Sequence, residues 1–312
     1  MSAEESARAI FSFEGVIPVL ETPFTSGGEI DAAGFERVVG HVMEAGAAGV
    51  MFPGFASEFA KLSQEERHEL ALIMIAATHE RPGTASIVSV PDHATTLAVA
   101  EARWAAEHGA DAINLLPPFF MSPSREAITE HLAHVLDAVP DTPVIVQLAP
   151  GLTGSAFAAE DLAALASRFA NLAAVKVEAV PPGRMVSHFA AMEPALPCLV
   201  GYAGLFLPDA LARGARGVQP GCSFVELYET LWAHWSHGDL PAFTALHRRM
   251  VPYLLEWMQS AELIVQVEKT ITVRRGLIDS DVCRTPGYRL DRYEIDSIDR
   301  FLAEFADELA PA

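Results

Sequence analysis

Lysine is almost missing from this chain: only three occur among 312 residues, and arginine supplies the other eighteen of the twenty-one basic side chains. Basic charge is short altogether, with 41 acidic residues, a formal net charge of -20 and a pI near 4.8. That balance excludes nucleic acid as a partner, because a phosphate backbone needs clustered cations, and acidity of this size mainly favours solubility. Cysteine is scarce too. Cys198, Cys222 and Cys283 stand far apart without a CxxC pair, which suits free thiols in a reducing cytoplasm. No apolar stretch approaches the roughly twenty residues of a membrane span. The N-terminal Met1-Ser-Ala-Glu-Glu-Ser-Ala-Arg lacks a charged-then-apolar signal layout, so the expectation is a cytoplasmic protein without a membrane partner. Neither GxGxxG nor a Walker pattern is present, and no cofactor is implied.

What is there is a compact globular composition, 51% hydrophobic with a mean hydropathy of +0.24. Three junctions repeat a helix that ends on glycine and passes at once into a strand: Glu44-Ala-Gly-Ala-Ala-Gly-Val50, Glu107-His-Gly-Ala-Asp-Ala-Ile113 and Ala212-Arg-Gly-Ala-Arg-Gly-Val218. Glycine fits because the residue after a helix often turns left-handed. The separations of Gly46, Gly109 and Gly214 correspond to two and three units of roughly 30 to 35 residues, the length of a strand with its return helix. Short apolar runs follow that period: Val16–Leu20, Gly49–Phe52, Ala85–Val90, Ala112–Leu116, Val144–Leu148, Ala173–Val177, Leu199–Gly201 and Gly217–Gln219. Eight such units predict a (β/α)8 barrel over 13–222, with an open doubly wound sheet as the alternative. The remaining 223–312 reads as a C-terminal helical extension: Ser223–His237, Pro241–Met258, Ala261–Gly276 and Asp291–Leu309. Ser63-Gln-Glu-Glu66 and Ser223-Phe-Val-Glu226 read as capping boxes that open helices.

One lysine lies inside a predicted strand, in Asn171-Leu-Ala-Ala-Val-Lys-Val-Glu-Ala-Val180. Side chains alternate across a strand, so Lys176 shares a face with Ala174 and Glu178 while Val175 and Val177 face the outer helices. Gln147 points inward on strand five by the same rule. Burial strips an ammonium of hydration and favours its neutral form, a nucleophile able to form a Schiff base with a ketone. A lysine that snorkels from the sheet end is the plain alternative. Cys222, near the predicted rim, has no identifiable histidine partner. His131-Leu-Ala-His134 and His234-Trp-Ser-His237 raise a metal-dependent reading, but no carboxylate completes a zinc set, and both pairs read as solvated helix histidines.

The stretches Gly15-Val-Ile-Pro-Val-Leu-Glu-Thr-Pro-Phe24, Gly54-Phe-Ala-Ser-Glu58, Leu62-Ser-Gln-Glu-Glu-Arg67, Pro117-Pro-Phe-Phe-Met-Ser-Pro123, Pro150-Gly-Leu-Thr-Gly154 and Ala174-Val-Lys176, in that order, resemble the dihydrodipicolinate synthase and N-acetylneuraminate lyase superfamily. The resemblance covers nearly the whole chain. It implies a (β/α)8 barrel with a helical extension, a dimer or tetramer of identical chains, and Lys176 as the lysine that joins pyruvate or another 2-oxo acid. The departures are as informative. Phe55, Ala56 and Ser57 stand where the family has its two threonines, although backbone N–H groups of that loop can still hold a carboxylate and Ser57 can add a hydroxyl. Gln147 aligns with the family's proton-relaying tyrosine, and an amide has no proton to exchange near neutral pH. Phe119 and Phe120 align with the aromatic pair after strand four, and Leu152 with the arginine that the synthases use for their aldehyde's carboxylate. With Leu148 these apolar residues predict a mouth for an uncharged aldehyde, which argues against dihydrodipicolinate synthase activity proper. Tyr202 and Glu178 are the candidates for acid/base work. The expected function is a Schiff-base aldolase or hydro-lyase on a 2-oxo acid. A catalytically impaired sensor or scaffold of the same fold is the alternative.

Overall fold

The computed structural model describes residues 13–81, 83–154, 158–193 and 195–309, so the first residues, on which the export reading rests, lie outside the described residues. Eight parallel strands form one sheet: β1 (Gly15–Val16), β2 (Gly49–Phe52), β3 (Ala85–Val90), β4 (Ala112–Leu115), β5 (Val144–Leu148), β6 (Leu172–Val177), β7 (Cys198–Val200) and β8 (Gly217–Val218). Their order is β1-β8-β7-β6-β5-β4-β3-β2. Val19 closes the ring with bridges to Met51 and Gly221, making a (β/α)8 barrel. The first strand is shorter than Val16–Leu20, because Pro18 has no N–H to give and the ladder resumes only at Val19.

Around the sheet run α1 (Ala32–Glu44), α2 (Gln64–Glu80), α3 (Thr95–Glu107), α4 (Arg125–Ala138), α5 (Pro150–Thr153), α6 (Ala159–Ala166), α7 (Gly183–Ala190) and α8 (Leu207–Ala212). Four more follow β8: α9 (Val225–Ser236), α10 (Leu240–Trp257), α11 (Ala261–Arg274) and α12 (Arg292–Glu304). The junction glycines are left-handed, with φ of 102° at Gly46, 88° at Gly109 and 101° at Gly214. Ser63 caps α2 as a full box with Glu66. The second expected box does not form: α9 starts after Phe224 with no side-chain cap, since Glu226 turns instead to Arg275 and His41. None of the described helices is long and apolar enough to cross a membrane.

The strands sort their side chains into two clusters. Val175, Val177, Val144, Val146 and Leu148 pack outward against the helices. Inside the ring Ile87, Ala112, Ile145, Ala174 and Leu199 form one apolar layer. Two residues further along β3 to β6 come Ser89, Asn114, Gln147 and Lys176, a polar layer directly above the apolar one. The register that aligns them depends on an irregularity between Val144 and Ile145, where β6 carries Ala173 as an extra residue and Gln147 comes to face Lys176. A slip of one residue would turn Lys176 outward.

Candidate active site

Lys176 is only 3% exposed and lines a cleft of about 100 Å³ at the C-terminal end of the barrel. That is the end where such barrels carry chemistry. The walls are mostly apolar: Val19, Phe55, Ala56 and Leu152 from the barrel loops, and Met258, Ala261, Ile264 and Val265 from the C-terminal helices. Ala261, Ile264, Val265 and Glu268 recur at helical spacing, so one face of α11 forms a lid over the cleft. Polar groups are few: Lys176, Glu178, Tyr202, Gln219 and Glu268.

Burial pushes the Lys176 ammonium below the ordinary lysine value, and the neighbouring Glu178 carboxylate opposes that shift. Its Nζ stands 3.7 Å from Glu178 Oε1. Glu178 fits there because Gly201 has no Cβ; one would fall 2.3 Å from Glu178 Oε1. The other carboxylate oxygen accepts a hydrogen bond from Gln147 Nε2 at 2.5 Å. Gln147 Oε1 accepts from Asn114 Nδ2 at 2.9 Å, and the same Asn114 nitrogen donates to Ser89 Oγ at 2.8 Å. A ladder of side chains thus crosses four adjacent strands and ends at the lysine.

Of the other expected site residues, Tyr202 lines the cleft and sits in the left-handed region with φ 54°. Phe55, Ala56 and Leu152 lie on its wall. Ser57 is buried, and its hydroxyl is committed: it donates to the Leu20 carbonyl and accepts from Gly54 N–H at 2.8 Å. Gln147 meets Glu178 rather than the open space. Phe119 and Phe120 are not on the cleft wall. The loop after β4 carries them to His93, with ring centroids 4.6 Å and 6.4 Å from it, through the left-handed residues Met121 and Ser122. Leu148 points outward, as alternation from Gln147 requires. Cys222 is buried, its thiol pushed well above the usual range and its sulfur accepting Glu21 N–H at 3.4 Å. Among the paired histidines, His131 is not solvated: it is 3% exposed, bonds Thr95 at 3.0 Å through Nδ1, and is held down at about 4 by burial. It faces inward on α4, where His134 faces out.

Sequence reasoning missed Asn114, Ser89 and Glu268. Asn114 carries a readable signal: an amide on the inward face of a strand, in phase with Ala112. Glu268 carries none, since only the packing of α11 brings it to the cleft. Its carboxyl lies where a Cβ on Gly221 would be, 1.8 Å from that position. Burial raises it to about 8, with the nearby Glu21 carboxyl adding to the shift, and burial raises Glu21 itself to about 7. Two such acids side by side do not both ionise readily.

The other two lysines are held by one carboxylate. Lys269 Nζ lies 2.5 Å from Glu58 Oε1, and Lys61 Nζ 3.1 Å from Glu58 Oε2. Glu58 is the acid that ends the Gly54–Glu58 loop, so its pair with Lys269, together with that of Lys61 with Glu262 at 2.7 Å, ties this region to α11 beside the cleft.

Residues 12–304 match the model of the dihydrodipicolinate synthetase family. A 4-hydroxy-tetrahydrodipicolinate synthase of Methanopyrus kandleri is 31% identical over 246 residues, 78% of this chain and 80% of that one. One from Kineococcus radiotolerans is 26% identical over 92% of this chain and 91% of its own length. In structure the chain is similar to YagE of E. coli K12, a prophage protein of the dihydrodipicolinic acid synthase family solved with pyruvate, at a TM-score of 0.85, 23% identity and coverage of 96% and 99%. With a family match that runs from the first strand into the last helix and a barrel to accord with it, the chain belongs to the dihydrodipicolinate synthetase family.

Proposed function

We propose that this protein is a Schiff-base-forming lyase in which Lys176 condenses with the carbonyl of pyruvate or a related 2-oxo acid. The observation that carries the reading is a lysine amine buried in a barrel-end cleft, its charged form disfavoured by desolvation and one carboxylate 3.7 Å away to take its proton. The amine attacks the carbonyl carbon, a C–N bond forms, and the carbinolamine loses water to give an iminium. That group withdraws electrons from the adjacent carbon, where a C–C bond or a leaving hydroxyl then breaks. The relatives and structural neighbours support the class: synthases of 4-hydroxy-tetrahydrodipicolinate among the relatives, and a pyruvate complex among the structures.

The second substrate is uncharged and apolar on this reading. Lys176 is the only cation on the cleft wall among the described residues, and Leu152 stands at the mouth. A carboxylate-bearing aldehyde would meet apolar walls, Glu178 and Glu268 with no guanidinium to receive it. We also infer an assembly of identical chains, for which the loop after β4 offers exposed apolar side chains, Phe120 at 73% and Met121 at 85%.

Borohydride reduction in the presence of pyruvate and a panel of 2-oxo acids, followed by peptide mapping, tests the proposal. The expected result is a stable adduct on Lys176 with at least one of them. Absence of any adduct across the panel would remove the covalent mechanism. Binding that raises thermal stability without adduct or turnover would instead favour a sensor.

A further inference from the structure

The ladder that ends at Glu178 has a direction. Both contacts of the Asn114 amide nitrogen are as donor, one to Ser89 Oγ and one to Gln147 Oε1. The ionised carboxylate of Glu178 only accepts, and that fixes the flip of the Gln147 amide: its Nε2–H groups face Glu178 and its oxygen accepts from Asn114. Gln147 therefore presents a donor to the carboxylate. All three residues are almost wholly enclosed, at 0% exposure for Asn114, 3% for Gln147 and 8% for Glu178. In such a setting a donor aimed at a carboxylate is worth more than in water. Gln147 has no proton to exchange, so it cannot itself serve as acid or base, yet it bonds the one carboxylate within reach of Lys176.

We propose that Glu178 is the proton carrier for Lys176 and that Gln147 and Asn114 are the positioning residues that hold its carboxylate against the amine. The proposal rests on the Schiff-base reading of Lys176. In the first step the Lys176 ammonium gives a proton to Glu178, and the freed amine adds to the oxo carbon. A second proton passes from the added nitrogen to the oxo oxygen to give the neutral carbinolamine, and Glu178 then returns its own proton to that hydroxyl as the C–O bond breaks, water leaves and the C=N bond forms. In the next step the ionised Glu178 takes a proton from the carbon beside the iminium, leaving an enamine. Reprotonation from the same carboxyl reverses it. The ladder keeps one oxygen of Glu178 occupied by Gln147 and leaves the other for the lysine and the substrate. The titratable groups that share the cleft with Glu178 are Lys176 on its own strand, Tyr202 after β7 and Glu268 from α11.

The test uses pyruvate in deuterated water. Exchange of its methyl protons, followed by proton NMR, reads the carbon-proton step, and borohydride trapping of the same samples reads the adduct. Glu178→Gln is expected to retain a trappable adduct on long incubation while exchange falls by about 100-fold or more. Gln147→Glu keeps the size of the side chain but sets a second acid against Glu178, and the acid limb of the exchange profile is expected to move to higher pH. Gln147→Met removes the donor with little change of volume and is expected to slow exchange by about tenfold, about the effect of one hydrogen bond to a charged group. A merely structural role would lower exchange evenly at every pH.

Exchange at the wild-type rate in Glu178→Gln, or a Gln147→Glu profile that overlays the wild type, would overturn the proposal while leaving Lys176 as the nucleophile. Loss of exchange in Glu268→Gln with exchange retained in Glu178→Gln would hand the role to Glu268 and overturn it equally. No adduct in the wild type would sink the Schiff-base reading itself.

Discussion

Two buried lysines in this protein face two different fates. Lys269, fully enclosed, is saturated: Glu58 lies at 2.5 Å, the Val282 carbonyl accepts from it at 3.0 Å, and the Phe24 ring centroid is 4.2 Å away. Lys176, also enclosed, has one looser partner in Glu178 at 3.7 Å and a cleft on its other side. The same residue type is a tie in one place and an available amine in the other. What separates them is how many of the three N–H donors are already used and whether a ligand can approach. Lysine scarcity alone marks all three positions as special. Only the unfilled coordination around Lys176 points to reactivity.

The comparison breaks most sharply on Lys176→Ala. That variant is expected to lose the borohydride-trapped adduct completely, while mass mapping of the wild type finds no adduct on Lys269. An adduct on Lys269, or one that survives the substitution, would erase the distinction. Lys269→Met is next in size. It leaves Glu58 buried without its main partner, and removal of one member of such a pair costs about 3 to 5 kcal/mol, to be read from denaturant unfolding. Because Glu58 ties the Gly54–Glu58 loop to α11, the trapped adduct is expected to weaken with it. Full stability in this variant would mean that the pair is no structural tie.

The acids behind the cleft give a pH signature of intermediate size. Glu21 and Glu268 are raised from 4.5 to about 7 and about 8 in the folded chain. The folded state therefore holds protons more tightly than the unfolded one. The stability contributed by the protonated pair is fully present below their ordinary value and is lost as pH rises through about 7 and about 8. Melting temperature should fall from acid to mildly alkaline pH in the wild type, and the fall should flatten in Glu268→Gln. An unchanged slope would show that the pair does not govern it. Smallest is Ser63→Ala, which removes the α2 cap at a cost of about 1 kcal/mol and should leave adduct formation untouched.

Much of the barrel was legible because its signals are local. A helix that ends in a left-handed glycine and a run of β-branched residues are both decided within a few positions, and all three junction glycines adopt that turn. Alternation along β6 also sufficed to turn Lys176, Ala174 and Glu178 inward. Misreadings arose where a distant partner competes for a local group. Ser223-Phe-Val-Glu226 has the spacing of a capping box, yet Arg275 and His41 draw Glu226 away from the backbone it would cap. His131 shares a helix with His134 and differs from it only through the packing of α4 against Thr95. Phe119 and Phe120 lie in a loop whose left-handed turns at non-glycine residues have no sequence marker.

Sequence by itself determined the eightfold alternation, the inward face of β6 and the scarcity that singled out Lys176, because each follows from composition or from a period of a few residues. Tertiary structure alone decided that Asn114, Gln147 and Glu178 join in one ladder, and that α11 brings Glu268 to the same cleft. Asn114 and Gln147 are 33 residues apart and Gln147 and Glu178 are 31 apart. Their meeting depends on strand register, which one extra residue at Ala173 sets. A period of two tells which way a side chain points; how far each strand has slid along its neighbour is settled only when the whole ring closes.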